Sequence, residues 1–552
     1  MSSNRALRFA CHTAAASFFL LLALVPAMAK DGQVLVQGTP MVGGANGMFF
    51  DTDNDLYVAN VFGQTISRID PETGEILEQL GPDDLVFFPD DVTVGVDGSL
   101  YWTDPGAGFV FRRVPAGVFG PDPVSFPVAA DFPNANPLTL SDDGRLFFAQ
   151  CYLASTGIFE VDPNGSMATR NIRTGDPGCA SNGMDWWDGA LYSPRPFEAR
   201  VVRVDIDTGA LTDVTTSWGV PVAVKFNSLG ELHAVNQGNG EVVRIDLDTG
   251  ARTLLAQLPV GWLDNLAFDA NDRLFISSFS DGTVLEVLAD ASLRTVSPGG
   301  MIAPMGLAII GDVIYTGDPA ALRGFNTKTG ASVSVVRSVF GFGPLPATTS
   351  VAAWGSQVVL MSAISGELVV WDPATNAPLV ATAFALPIDA QPFQGDLVVT
   401  EIGSGQVVRA SGPDLDVRET LATTFLPVGL AATDDDLYVS DGILGVVLQI
   451  VEDGEVLDTP KTVASGLAAP EGIALRSGGN RLLVVEGGTG SLKEVHLKSG
   501  KVKTIATGLD FQTPVPDFIP THWLNDVEVD AKGAIYVNAD RANVIFKFDD
   551  DD

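Results

Sequence analysis

Twelve copies of one strand–turn–strand pattern, spaced roughly 45 residues apart, predict an all-β chain of two tandem six-bladed β-propellers. Three observations carry the prediction. The first is the repeat itself. GMFFDTDNDLYVAN at 47 aligns with DVTVGVDGSLYWTD at 91, PLTLSDDGRLFFAQ at 137, GMDWWDGALYSP at 183, AVKFNSLGELHAVN at 223 and NLAFDANDRLFISS at 265. The series resumes at 306, 351, 390, 429, 472 and 526. The second is composition: 58 Gly and 34 Pro among 552 residues suit short strands and many turns. The third is the state of the ends. The last copy stops after VIFKF at 544 to 548, one strand short, and the chain opens on an orphan strand, VLVQG at 34 to 38.

Each copy reads as four strands. An apolar strand leads into a turn rich in Asp and Gly, then a strand of β-branched and aromatic residues. A third strand follows, such as TISRID or EVVRID, then a DxxTG-type turn and a fourth strand. Twelve copies exceed the four to eight blades of an ordinary ring, so two rings are expected, with a single twelve-bladed ring as the alternative. Exchanged strands would remove the open edges. VLVQG is expected to complete the blade ending TVLEV at 283 to 287, and SLRTVS at 292 to 297 the blade ending VIFKF. The expected divisions are a signal peptide at 1–29, a first propeller at 30–290 and a second at 291–552.

The first 29 residues read as an export signal: Arg5 and Arg8, the apolar run ASFFLLLALVP, and a small-residue site at Ala27-Met28-Ala29. No later run is long and apolar enough for a membrane span, so a periplasmic or secreted protein is expected. Losing the signal removes two of the 32 basic residues and no acid, leaving 30 against 68 acids, a net of −38. Such a charge disfavours nucleic acid and suits cation binding or a salty habitat; a small-molecule substrate or ligand is the expected partner. The bland reading of the acidity is solubility. Of three cysteines, Cys11 falls in the signal, and Cys151 and Cys179 form an even pair in an oxidising compartment. One follows the second strand of blade three and the other precedes blade four, so a disulfide on that face is expected; the alternative is two separately buried thiols.

The residues at the start of each innermost strand carry the chemistry. In the first ring they are Asn46, Asp90, Asn136, Asn182, Val222 and Asp264, against Met305, Ser350, Asp389, Val428, Glu471 and Asn525 in the second. Five of the first six carry side-chain oxygens, which suits a hard cation such as Ca²⁺. The alternative is that Asn and Asp bond nearby backbone at strand starts. Asn60, Asp104, Asn236, Asp318, Glu401, Asp441 and Glu486 end second strands, and their regular recurrence points to building the repeat. In the second ring Glu471, His522 and Asn525 form a candidate acid/base or metal cluster; a packed loop histidine is the alternative. His233 within a strand is read as structural.

SNGMDWWDGALYSP resembles the metal-ligand strand of the gluconolactonase/senescence-marker-protein propellers. LDNLAFDANDRLFISS is similar to that family's Asp-Gly-(Met/Leu) strand and, in its Asp-Asn pair, to the paraoxonases. ANGMFFDTDNDLYVAN is similar to NHL and strictosidine-synthase-like propellers, and LYWTDPGAG contains the YWTD string of another propeller group. The resemblance implies Asn182 and Asp264 as metal ligands, Asn136 as a third, and Asn46 or Asp90 where those hydrolases place a Glu. Two departures stand out: that Glu is missing, and the Val222 blade separates the Asn and Asp strands. The implied activity is calcium-dependent hydrolysis of a lactone or small ester, with Asp264 or Asp90 as the base. A non-catalytic scaffold for a protein or carbohydrate is the alternative, and a lyase-type propeller a third reading.

Overall fold

A computed structural model describes residues 32–38, 42–150, 156–176, 182–258, 262–338, 343–511 and 525–549. The signal segment, Cys11, Cys151, Cys179 and His522 lie outside the described residues. Among those described, the strands form twelve four-stranded antiparallel sheets, one per repeat. The Asp-Gly turns between first and second strands account for the spacing. In blade one, Asp51 Oδ1 accepts the backbone N–H groups of Asp53 and Asp55, at 3.0 and 2.9 Å, and the chain reverses there.

The blades close as two rings. The innermost strand Ala45–Phe50 packs on Leu263–Phe268, joining blades one and six. Met305–Ile310 packs on Val527–Val529, joining blades seven and twelve. This is the two-ring architecture, not the twelve-bladed one. The core is the set of seams between adjacent blades, filled face to face. Phe147 of blade three stacks on Trp186 of blade four with centroids 5.3 Å apart, and Phe50 of blade one meets Phe275 of blade six at 4.9 Å.

The expected exchange of strands is corrected. Thr283–Val287 pairs with Leu293–Ser297 within blade six, and Gln33–Gln37 pairs with Val544–Phe548, completing blade twelve. The reason is loop closure. A tight turn joins the first pair, with Leu288 N–H donating to Ser292 O at 2.9 Å, so the local partner outcompetes a distant one. In blade twelve the edge of Val544–Phe548 is covered instead by Gln33–Gln37. The first ring therefore runs from Ala45 to Ser297. The second takes Gln33–Gln37 together with Met305–Phe548, so the chain passes from one ring to the other before Ala45 and again after Ser297.

Candidate functional site in the first ring

The strand starts are pinned before any side chain acts. Thr103 Oγ1 donates to the backbone oxygen of Asn136, and Ser277 Oγ to that of Asn46, both at 2.7 Å and each from the neighbouring blade. The residues ending second strands stitch loops, as expected. Asp104 accepts from Phe88 N–H at 3.0 Å, Asn236 from Val220 N–H at 3.1 Å and Glu401 from Ala385 N–H at 2.9 Å. Glycine permits the crowding at the axis. A Cβ on Gly47 would collide with Asp91 and one on Gly183 with Ala223, so no side chain fits at either position.

On this frame Asn46, Asp90, Asn136, Asn182 and Asp264 are all buried. Asn136 Nδ2 donates to Asn182 Oδ1 at 3.2 Å, and Asn182 Nδ2 donates to Asp264 Oδ2 at 3.1 Å. The chain of contacts passes over the Val222 blade, whose backbone oxygen instead accepts the N–H groups of Asn182 and Gly183. Asn46 stands beside Asp90 and favours its charged form. Within this group of five, four buried oxygens have no hydrogen-bond partner: the Oδ1 atoms of Asn46, Asp90, Asn136 and Asp264. Asn182 differs from the other members, because its oxygen already receives the Asn136 amide.

Burial pushes the Asp264 carboxyl well up, with the charge of Asp91 adding to it. It does the same to Asp90, reinforced by Asp264, Asp91 and Asp104. Asp91, which sequence reasoning passed over, forms the next layer of the channel. Its Oδ2 accepts Leu138 N–H at 2.8 Å, its Oδ1 accepts Asn265 Nδ2 at 3.3 Å, and burial raises it to about 7. Asp91 has structural counterparts in Asp389 and Asp526. The expected placement of Asp389 at the axial strand start is corrected, since Asp389 N–H meets Thr400 Oγ1 as Asp91 N–H meets Thr103 Oγ1, and Ile388 takes the axial place. Asp389 and Asp526 both occupy the same place in their blades and accept an N–H from the next blade, that of Leu430 and of Leu307. Among the described residues no three His, Cys, Asp or Glu side chains stand together to hold a metal. The first-ring set is a mixed one, two carboxylates and amides.

The second ring is built differently. Met305, Ile388 and Val428 pack together at its axis. Glu471 Oε2 accepts both the backbone and side-chain N–H of Asn525 at 2.9 Å, and Asn525 Oδ1 accepts Asp540 N–H at 3.0 Å. Asn525 thus serves the repeat, and the pair forms without any described histidine. His233 is structural: it is buried, 4.7 Å from the Phe268 ring, and Nδ1 lies 2.9 Å from Glu231 O.

The fold and this axial arrangement define the class: a tandem β-propeller with an oxygen-lined first well. No family model matches the chain, and no curated protein sequence matches it. Among solved structures it is similar to a streptogramin B lyase at 16% identity, over 51% of this chain and 93% of that one, with a TM-score of 0.38. It is also similar to virginiamycin B lyase from Staphylococcus aureus, at 16% identity over 51% and 94% with a TM-score of 0.37. A catalytically inactive variant of that lyase, solved with quinupristin, gives 15%, the same coverage and 0.37.

Proposed function

We propose that the first ring binds a divalent cation, Ca²⁺ foremost, and hydrolyses a small ester or lactone there. The observation that carries this reading is the set of four buried, unpartnered oxygens from Asn46, Asp90, Asn136 and Asp264. Leaving such atoms unsatisfied is costly, and oxygen-only donors with two carboxylates suit a hard cation. The residues therefore fit the group that the gluconolactonase resemblance implies. When bound, the ion would supply Lewis-acid stabilisation of a developing oxyanion.

The chain's own residues do the rest. Asn182 orients Asp264 through its amide and ties it to Asn136. Asp90 has a raised proton affinity, which suits its carboxylate to take a proton from water beside the ion. Titration of the purified, chelator-stripped chain with Ca²⁺ by calorimetry tests the reading, paired with lactone and ester hydrolysis before and after chelation. One high-affinity site, lost in Asp264→Ala, is expected; absence of any site, or hydrolysis indifferent to chelator, overturns it.

A binding role is favoured for the second ring by one observation. Three of its axial side chains, Met305, Ile388 and Val428, are apolar and pack together, and Ile364, Leu386, Phe425, Ile443 and Leu444, on the loops of that same face, are exposed.

A further inference from the structure

We propose that the second ring positions the two carboxylates of the first ring's site, and that Ile302 is the positioning residue. This rests on the reading of the first well as a cation site.

The loops that carry the two carboxylates pack against the second ring. Phe88 and Trp262 stand two residues ahead of Asp90 and Asp264, on the loops that enter those innermost strands. Phe88, Val61, Phe62 and Phe279 of the first ring form one buried apolar cluster with Ile302 and Ala320 of the second. Trp262 and Ala303 pack on its margin. Phe62 and Phe279 meet within it with centroids 5.0 Å apart. Buried side chains interlock with few voids, so where each loop rests depends on what fills the space beside it.

Both loops are built to pass a displacement on. Pro89 lies between Phe88 and Asp90 and fixes one backbone angle there. Trp262 has a φ of 53°, a left-handed conformation that a bulky residue keeps only when its surroundings hold it. Its backbone oxygen accepts Phe279 N–H at 3.0 Å, which ties it to the neighbouring aromatic loop.

On the second ring's side the contact is organised by Asp318. Its carboxylate accepts Ile302 N–H at 3.4 Å and Ala320 N–H at 2.8 Å, and it pairs with Arg323. Arg323 Nη2 donates in turn to the Ser280 backbone oxygen of blade six at 2.8 Å. Gly300 N–H donates to Asp281 O on that same loop, also at 2.8 Å. These bonds fix the depth at which Ile302, 2% exposed, enters the first ring's cluster.

Hydrogen exchange on the full chain without added metal compares Ile302→Ala with Leu368→Ala. Leu368 is equally buried in the second ring, in a cluster apart from the seam. Ile302→Ala leaves a cavity beside the two loops. Exchange is expected to rise several-fold over Phe88–Asp91 and Trp262–Asn265 while blades three to five hold. Leu368→Ala is expected to leave both segments at the native rate. Calorimetric titration is expected to show Ca²⁺ affinity about tenfold lower in Ile302→Ala. Ile302→Val, the milder cavity, is expected to repeat the pattern at smaller amplitude, and it carries the test if the alanine variant does not fold. Unchanged exchange over the two segments, an equal rise in Leu368→Ala, or unchanged Ca²⁺ affinity in a variant with loosened loops overturns the proposal. A native chain that binds no Ca²⁺, while the Ile302 variants still loosen those segments alone, keeps the positioning role and removes the cation reading.

Discussion

Asn182 and Asp264, separated by 82 residues and by a whole intervening blade, meet at the first ring's axis with Nδ2 to Oδ2 at 3.1 Å. That contact exists because six innermost strands converge, and a side chain long enough to cross the well can skip a neighbour. It makes Asn182 the positioning residue of the site, between Asn136 and Asp264.

Asn182→Ala is expected to weaken Ca²⁺ binding by about 10–100-fold, the usual effect of removing a group that orients a ligand. It also strips a partner from two buried groups, at about 1–3 kcal/mol. Calorimetric titration and thermal melting of the same variant separate the two effects. Unchanged affinity would show that Asp264 needs no support.

Cation affinity is expected to rise with pH. Burial holds the Asp90 and Asp264 carboxyls well above their ordinary range, so protons compete with the ion for the same oxygens. Titrations at several pH values check this, and Asp90→Asn should flatten the dependence.

In the second ring, burial raises Asp526 to about 7 and Glu528 to about 8. A carboxyl raised in the fold binds its proton more tightly folded than unfolded. Its favourable contribution is therefore full near the unfolded value of about 4 and is lost as pH rises toward the folded one. Denaturant midpoints are expected to fall between about pH 4 and 8 and to level above that. Glu528→Gln should shrink the fall; an unchanged slope would remove Glu528 as its source.

Arg323→Met is expected to destabilise the chain by about 3–5 kcal/mol, because buried Asp318 and Asp281 lose a shared cation. Scanning calorimetry is expected to resolve two transitions in the variant against one in the native chain, as one of the links between the rings is lost.

Deleting Gln33–Gln37 uncovers the edge strand Val544–Phe548. The truncated chain is expected to melt lower and to aggregate through that edge. Light scattering during a thermal ramp measures both.

The repeat was legible because each blade is a local unit: strand alternation and Asp-Gly turns act over a dozen residues, as at Asp51. The oxygen-bearing strand starts were legible for the same reason, since repetition aligns them. Strand exchange was misread because either end strand matches either open edge in pattern; the short turn at Leu288–Ser292 decided it. Asp91 was passed over because, one residue after the axial position and just ahead of the strand Val92–Val94, it reads as a turn-forming or solvated acid until its layer is seen.

Sequence by itself determined the number of blades, their grouping into sixes and the oxygen-rich character of the first well, all properties of short segments repeated in register. Only the tertiary structure decided which oxygens remain unpartnered, that Asn182 bridges Asn136 and Asp264, and that Ile302 and Ala320 enter the first ring's aromatic cluster. Those contacts join residues far apart in the chain, and ring closure is the physical event that brings them together.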